Sequence, residues 1–292
     1  MIEIAPALRV ESLIEALPFI QQYRGATFVI KYGGSAMEDP HQVERLLRDV
    51  VFLEAVGINP VLVHGGGKAI TAKMEEAGLP AKFANGLRVT DEKSIRLVEE
   101  TLDGVVNPMI VRIIEQFGGQ AVGFSGKKIF QARKLSVQIL PSGQEVDVGH
   151  VGEAERMHIE DVRHEVRQER VPVISPIGAD ASGRILNINA DLAAAALAGS
   201  LRATKLIYVS DVPGILRAPE DPESLIPSVT ARQIEELITE HVISGGMIPK
   251  VRSAAEALAK GVEKVHFIAG SLPHGLLLEV FTTAGVGTEI LP

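Results

Sequence analysis

The apolar positions of this chain follow two rhythms. Short unbroken runs, such as Thr27-Phe28-Val29-Ile30 and Val61-Leu62-Val63, suit strands buried on both faces. Stripes spaced by three and four, such as Val43-Leu46-Leu47-Val50 and Val106-Met109-Ile110-Ile113-Ile114-Phe117, suit amphipathic helices. Runs and stripes alternate, which predicts βαβ units and therefore parallel strands. Further strands are expected at 171–177, 185–188, 205–210 and 263–269, with helices at 158–169, 190–200, 230–240, 246–260 and 273–283. Residues 121–153 alternate in short runs with Gly and Pro, a pattern that predicts antiparallel hairpins. The expected fold class is α/β, a three-layer αβα sandwich around one wide, mostly parallel open sheet.

Punctuation sharpens the boundaries. Asp39-Pro40-His41-Gln42 is a helix start: Asp caps, Pro takes the first turn and Gln holds the capping-box position. Asn85-Gly86 between short extended runs predicts a tight hairpin, with Arg88 on a projecting ribbon. The first 24 residues form a unit of their own, with an apolar stripe at Leu13, Ile14, Leu17 and Ile20. Pro18 lies inside that stripe and predicts a kink or break. Such a helix needs something to pack on, either its own lobe or another subunit. No low-complexity linker or internal repeat divides the chain, so two lobes sharing a continuous sheet are expected.

Charge and composition then narrow the function. The net charge of −8 argues against a broad nucleic-acid surface, which needs an excess of Lys and Arg. The absence of cysteine excludes disulfides and thiolate chemistry. The eight histidines show no metal-ligand spacing. No apolar run has the length of a membrane span, and the N-terminus lacks a secretory pattern. A cytoplasmic protein with neither a nucleic-acid nor a membrane partner is expected.

Two glycine turns close apolar strands, Lys31-Tyr32-Gly33-Gly34 and His64-Gly65-Gly66-Gly67-Lys68. Each precedes a helical pattern, so backbone N–H groups and a helix N-terminus are bared together, an arrangement suited to phosphate or carboxylate. It is not a Walker A loop, since Leu62 stands where the first Gly is needed and Ala69 follows Gly67-Lys68. The dinucleotide fingerprint fails as well, with Ile70 at its last glycine position. Asn187-Ile188-Asn189-Ala190-Asp191 follows a strand, where open α/β sheets hold ligands. Asn189 reads equally as a helix cap, with Asp191 in the first turn. Ser210-Asp211-Val212-Pro213-Gly214-Ile215-Leu216 is either a plain turn or a nucleotide-edge loop, and Gly245-Gly246-Met247-Ile248-Pro249-Lys250 sets a lysine at another helix start. Arg88 reads as a surface cation or as a carboxylate clamp. His64 is best placed among the histidines, though a plain strand-end role suits it too.

Taken in order, Lys31-Tyr32-Gly33-Gly34, His64-Gly65-Gly66-Gly67, Asn85-Gly86-Leu87-Arg88-Val89-Thr90, Asn187 to Asp191, Ser210 to Leu216 and Gly246 to Lys250 resemble the amino-acid kinase family. Within it they look most like the N-acetylglutamate kinases, and the match runs from about residue 27 to the C-terminus. The resemblance implies transfer of the γ-phosphoryl of ATP to the γ-carboxylate of N-acetyl-L-glutamate in arginine biosynthesis. It implies that Lys31 and Lys250 flank the transferring phosphoryl and that Asp191 holds both ammonium groups. Gly66 and Gly67 would offer N–H groups to the substrate and phosphoryl, while Arg88 and Asn187 would fix the acetylglutamate. Gly33, Gly34 and the loop Asp211, Val212, Pro213, Gly214, Ile215 and Leu216 would contact ATP. Mg2+ would be held mainly by the ATP phosphates, with no metal site on the protein.

The N-terminal unit resembles the extra kinked helix of the hexameric, arginine-inhibited members. That implies a homohexamer built as a trimer of dimers, with L-arginine near His266, Glu279 and Gly287. The implied division is 1–24 for oligomerisation, 25–200 for acetylglutamate binding and dimerisation, and 201–292 for ATP. A plain strand residue at His266 and a solvated helix face at Glu279 form the alternative. A nitrogen-signalling PII-type partner is conceivable for this family, but no residue here points to one. A kinase for acetylated or carrier-bound aminoadipate is the nearest rival, since one methylene leaves little trace in sequence. A silent arginine sensor would have lost Lys31, Asp191 or Lys250, and all three are present.

Overall fold

The unbroken apolar runs become the interior of one sheet. The computed structural model describes residues 5–292 apart from 136, 141 and 142. Eight strands lie in the order Ser228–Thr230, Thr288–Leu291, Lys264–Ala269, Lys205–Ser210, Thr27–Tyr32, Asn59–His64, Val171–Ile174 and Ala121–Phe124. All neighbours are parallel except Lys264–Ala269 with Thr288–Leu291. Period-two alternation divides each strand between two cores. Val29, Val63, Leu206 and Tyr208 face the helices Ala190–Leu201 and Met247–Ala259. Phe28, Ile30, Tyr32 and Ile207 face Pro40–Ala55, Asn107–Gln116 and Gly275–Phe281. The result is the expected three-layer α/β sandwich. Asp39 caps its helix as expected, its carboxylate accepting from His41 N–H at 2.9 Å.

Four local expectations are corrected. The run at 171–177 divides into Val171–Ile174 in the main sheet and Ile177–Ala179 in a second, smaller sheet. Pro176 separates them; it has no N–H to continue the ladder. Ala121–Phe124 is no hairpin arm but the parallel edge of the main sheet. Its half-exposed residues imitate hairpin alternation because an edge strand is covered on fewer sides. The remaining strands of that region do pair antiparallel, Phe130–Lys134 with Val151–Met157 and Gln138–Ile139 with Glu145–Val146. Phe130–Lys134 and Val151–Met157 join Ile177–Ala179 and Ile185–Ile188 in a small closed barrel.

The N-terminal helix, Pro6–Tyr23, runs through Pro18 without a break. It stands largely exposed, with Leu8, Val10, Leu13, Ile14 and Leu17 facing outward, so water can take the carbonyl that Pro18 leaves free. Residues 1–4 of the expected unit lie outside the described residues. Finally, the helix expected around 106–117 is the end of a longer one. Glu92–Thr101 continues through a π-helical segment, Leu102–Val106, into Asn107–Gln116. Among the described residues, no helix is long and apolar enough to cross a membrane.

Candidate active site

The two glycine turns meet because their strands are neighbours in register, with Tyr32 opposite His64. A Cβ on Gly65 would lie 3.2 Å from Gly33 Cα, and one on Gly33 would lie 2.9 Å from Lys31 Nζ. A side chain at Gly65 would crowd the Gly33 backbone, and one at Gly33 would displace the Lys31 ammonium. Next to them, Asn189 caps the helix Ala190–Leu201, its Oδ1 accepting from Asp191 N–H at 2.8 Å and from Leu192 N–H at 3.3 Å. The capping reading of Asn189 is correct, and it fixes Asp191 in the first helical turn. Lys31 Nζ meets Asp191 Oδ1 at 2.9 Å, with side chains only 9% and 16% exposed. The contact is an ion pair without hydrogen-bond alignment.

Arg88 stands on the expected hairpin. Asn85 and Gly86 both have positive φ, 49° and 78°, as a type I′ turn requires. Its side chain, however, does not project into solvent: Arg88 is 7% exposed. It donates through Nη2 to the Gly67 carbonyl at 2.6 Å and to Thr71 Oγ1 at 2.8 Å. Its guanidinium also lies over the Phe83 ring, 4.8 Å from the centroid. The planar fork thus meets two acceptors and an aromatic face together, a geometry that lysine does not reproduce. Lys31, Gly66, Gly67, Arg88, Asn187 and Asp191 converge on one pocket of 210 Å³. Gly34 lines it too.

A second pocket, of 460 Å³, adjoins the first. Asp211, Val212, Gly214, Ile215, Leu216 and Lys250 line it, while half-buried Pro213 does not. The two meet at Gly34, where an added Cβ would come 2.9 Å from Asp211 Oδ1. Lys250 lies in the first turn of Met247–Ala259. Among the described residues Asp191 pairs with Lys31 and not with Lys250. Lys68 turns out to solvent and pairs with Glu38.

The third predicted group lies away from both pockets. His266 Nδ1 meets Glu279 Oε1 at 2.6 Å, and Glu279 Oε2 accepts from Val286 N–H at 2.7 Å and Gly287 N–H at 3.0 Å. Glu279 is buried, which corrects the solvated-face reading. Burial pushes its carboxyl up, but the bonds from His266, Val286 and Gly287 outweigh this and hold it below its ordinary value. Lys205 Nζ lies 2.9 Å from His266 Nε2. An ammonium can only donate, so His266 presents a bare Nε2 there and gives its Nδ1 proton to Glu279. Burial pulls Lys205 down to about 8, with Lys264 adding to the effect. Tyr23, the last residue of the N-terminal helix, has its ring 5.1 Å from Lys205 Nζ.

Sequence reasoning missed Thr71, Leu102 and Asn107. Thr71 follows Gly67 by one helical turn, a spacing that points it back at the glycine loop, and its Oγ1 also donates to the Gly67 carbonyl at 2.8 Å. Leu102 and Asn107 bracket the π-helical segment, for which the apolar stripe holds no signal.

A lysine–carboxylate pair, glycine backbone and a second lysine across an adjoining pocket bring positive charge and backbone donors to one place, chemistry that suits an anionic ligand. Residues 26–269 match the model of the amino acid kinase family. The chain belongs to the amino acid kinase family. Among similar family members is the acetylglutamate kinase of Akkermansia muciniphila, 50% identical over 96% of this chain and 94% of the relative. The acetylglutamate kinase of Nostoc sp. is 48% identical over 98% and 95%. Among solved structures, the N-acetylglutamate synthase of Neisseria gonorrhoeae complexed with coenzyme A and N-acetyl-glutamate has a TM-score of 0.84 at 27% identity. Its complex with coenzyme A and L-arginine has a TM-score of 0.81 at 26% identity. These alignments cover 97% of this chain but only 63% and 65% of the synthase chains.

Proposed function

We propose that this chain transfers the γ-phosphoryl group of ATP to the γ-carboxylate of N-acetyl-L-glutamate, giving N-acetyl-L-glutamyl 5-phosphate for arginine biosynthesis. The observation that carries the reading is the Lys31–Asp191 pair in a small pocket shared with Gly66, Gly67, Arg88 and Asn187. The names of relatives that align over nearly the whole chain support the same substrate. A carboxylate oxygen attacks the γ-phosphorus, the bond from that phosphorus to the β–γ bridging oxygen breaks, and ADP leaves. No proton moves, because a carboxyl with a pKa of about 4 is already ionised at neutral pH. The work lies in bringing two anions together.

In this reading Lys31 takes up charge on the transferring phosphoryl from one side and Lys250 from the other, with Asp191 holding Lys31 in place. Gly66 and Gly67 N–H groups receive the phosphoryl, and Arg88 and Asn187 receive the carboxylate and amide of the acetylated amino acid. Gly33, Gly34 and, in the loop, Asp211, Val212, Gly214, Ile215 and Leu216 border the nucleotide. Residues 25–200 then bind acetylglutamate and form the dimer contact, while residues 201–292 bind ATP. Among the described residues no group of three or more His, Asp or Glu could hold a metal ion. Mg2+ is assigned to the ATP phosphates, whose charge it would offset. A cytoplasmic setting suits a biosynthetic kinase of this kind.

Regulation by L-arginine belongs to the same proposal. His266, Glu279 and Gly287 form one cluster that the N-terminal helix touches through Tyr23 and Lys205. A guanidinium would find a buried carboxylate there, and a related synthase has been crystallised with L-arginine. The exposed apolar stripe of Pro6–Tyr23 is assigned to contacts between dimers of a hexamer. A hydroxamate assay for acyl phosphate, with ATP and N-acetylglutamate, tests the reaction. Product with acetylglutamate and much less with its aminoadipate homologue is expected, and added arginine is expected to lower the yield. No acyl phosphate, or a preference for the aminoadipate, would overturn the assignment.

A further inference from the structure

His64 has no part in the reaction just described, yet it is wholly buried and both nitrogens of its ring are engaged. Nδ1 lies 2.7 Å from the Gly65 carbonyl, and Nε2 lies 3.2 Å from Asn107 Nδ2. The two ends fix one tautomer. A carbonyl oxygen only accepts, so the atom facing Gly65 O is an N–H. At the far end, Asn107 Nδ2 also lies 2.9 Å from the Val173 carbonyl, which identifies that atom as the amide nitrogen. For its second proton His64 Nε2, at 3.2 Å, is nearer than the Phe124 carbonyl at 3.5 Å, so Nε2 is read as the bare acceptor. His64 is a neutral Nδ1–H imidazole, and burial pulls its pKa in the same direction, down to about 4.

The Gly65–Gly66 peptide is trans and planar, so its carbonyl and its N–H point in opposite directions. With the carbonyl held against His64, the Gly66 N–H is turned away from that ring, and Gly66 itself lines the pocket of Lys31 and Asp191. The same helix that supplies Asn107 covers Gly66 from the other side. A Cβ on Gly66 would lie 2.5 Å from Leu102 Cδ2, and the Asn107 N–H bonds to the Leu102 carbonyl across the π-turn. The extra residue of that turn brings Leu102 and Asn107 to bear on one glycine loop.

We propose that His64 and Asn107 are positioning residues that aim the Gly66 N–H at the transferring phosphoryl group. This rests on the phosphoryl-transfer reading of the site. Two amide replacements separate the ring's two contacts, because asparagine places its amide nitrogen, a donor, near the position of Nδ1, and glutamine places its amide oxygen, an acceptor, near that of Nε2. His64→Gln loses the hold on Gly65, and kcat is expected to fall about 100-fold, the scale of a misplaced oxyanion donor. KM for ATP and acetylglutamate should stay within about threefold. His64→Asn keeps that hold and should recover most of the lost kcat, at comparable thermal stability. Equal kcat in the two variants, or a His64→Gln enzyme as fast as the unmutated one, overturns the proposal. The second measurement needs no substrate: 15N spectra of histidine-labelled protein at pH 7 should show the His64 proton on Nδ1. An Nε2–H or doubly protonated ring overturns the proposal. Failure of the underlying reaction would show separately, as an unmutated enzyme that makes no acyl phosphate.

Discussion

Lys31 brings a compact ammonium to a pocket lined by glycine backbone and Asp191. Its Nζ already lies 2.9 Å from where a Cβ on Gly33 would stand, and its partner Asp191 is 2.9 Å away. Lys31→Arg keeps the charge but replaces a compact point with a planar fork. We expect kcat to fall by at least about 100-fold while both KM values move little, since the contact matters chiefly in the transition state. Steady-state kinetics with near-normal turnover would remove Lys31 from the reaction. The position of this residue was legible in sequence, as were those of Asn187 and Asp191, because each ends or directly follows an apolar run that could only be a strand. The inward turn of Arg88 was not. Its partners, Gly67 and Thr71, lie 21 and 17 residues away, and no local pattern reports a contact across a hairpin and a helix start. The His64–Asn107 contact spans 43 residues and was equally silent.

Elements are tied together by pairs of the same long-range kind. Asp49, buried on the helix Pro40–Ala55, meets His274 Nδ1 at 2.6 Å. His274 adopts the left-handed conformation, φ 56°, just before the helix Gly275–Phe281. Burial pushes the Asp49 carboxyl up to about 6, and the His274 contact draws it partly back. A carboxyl raised in the folded state binds its proton more tightly there than in the unfolded chain. Folding therefore loses stability as pH rises from about 4 to about 6, and His274 offsets part of that loss. His274→Gly suits the backbone and removes the ring. Its deficit in melting temperature should be small at pH 4 and larger at pH 7.5, whereas equal deficits would show that the pair carries no charge-dependent stability. Apolar periodicity made most elements legible, since strands and helices bury different spacings. It could not show the π-helical segment, where one added residue leaves a stripe that still reads as helix. Nor could it show that Ser175 and Pro176 divide one apolar run between two sheets.

At the scale of the whole molecule, one eight-stranded sheet carries both pockets. The N-terminal helix stands apart from that logic. Leu8, Val10, Leu13, Ile14 and Leu17 are exposed on it, and full burial of each such side chain is worth about 1.5–3 kcal/mol. At its other end Tyr23 packs edge-on against Phe28 and faces Lys205. Deleting residues 1–24 is expected to give dimers that arginine no longer inhibits, read by sedimentation and by inhibition curves. An arginine-inhibited hexamer after deletion would rule out this role for the helix. Its presence was legible from the stripe alone. Its passage through Pro18 was not, because a proline's effect depends on whether water reaches the carbonyl it frees.

The glycine loop has a consequence for how this enzyme tolerates mutation. Across most of the pocket a scan to alanine removes atoms, and loss of function reports a lost contact. At Gly66 the same scan adds a methyl group into space that Leu102 occupies. The backbone N–H survives every replacement but proline, so the contact proposed for it is mostly obstructed and seldom deleted. Relaxed selection would therefore leave its first mark here as a gain of bulk.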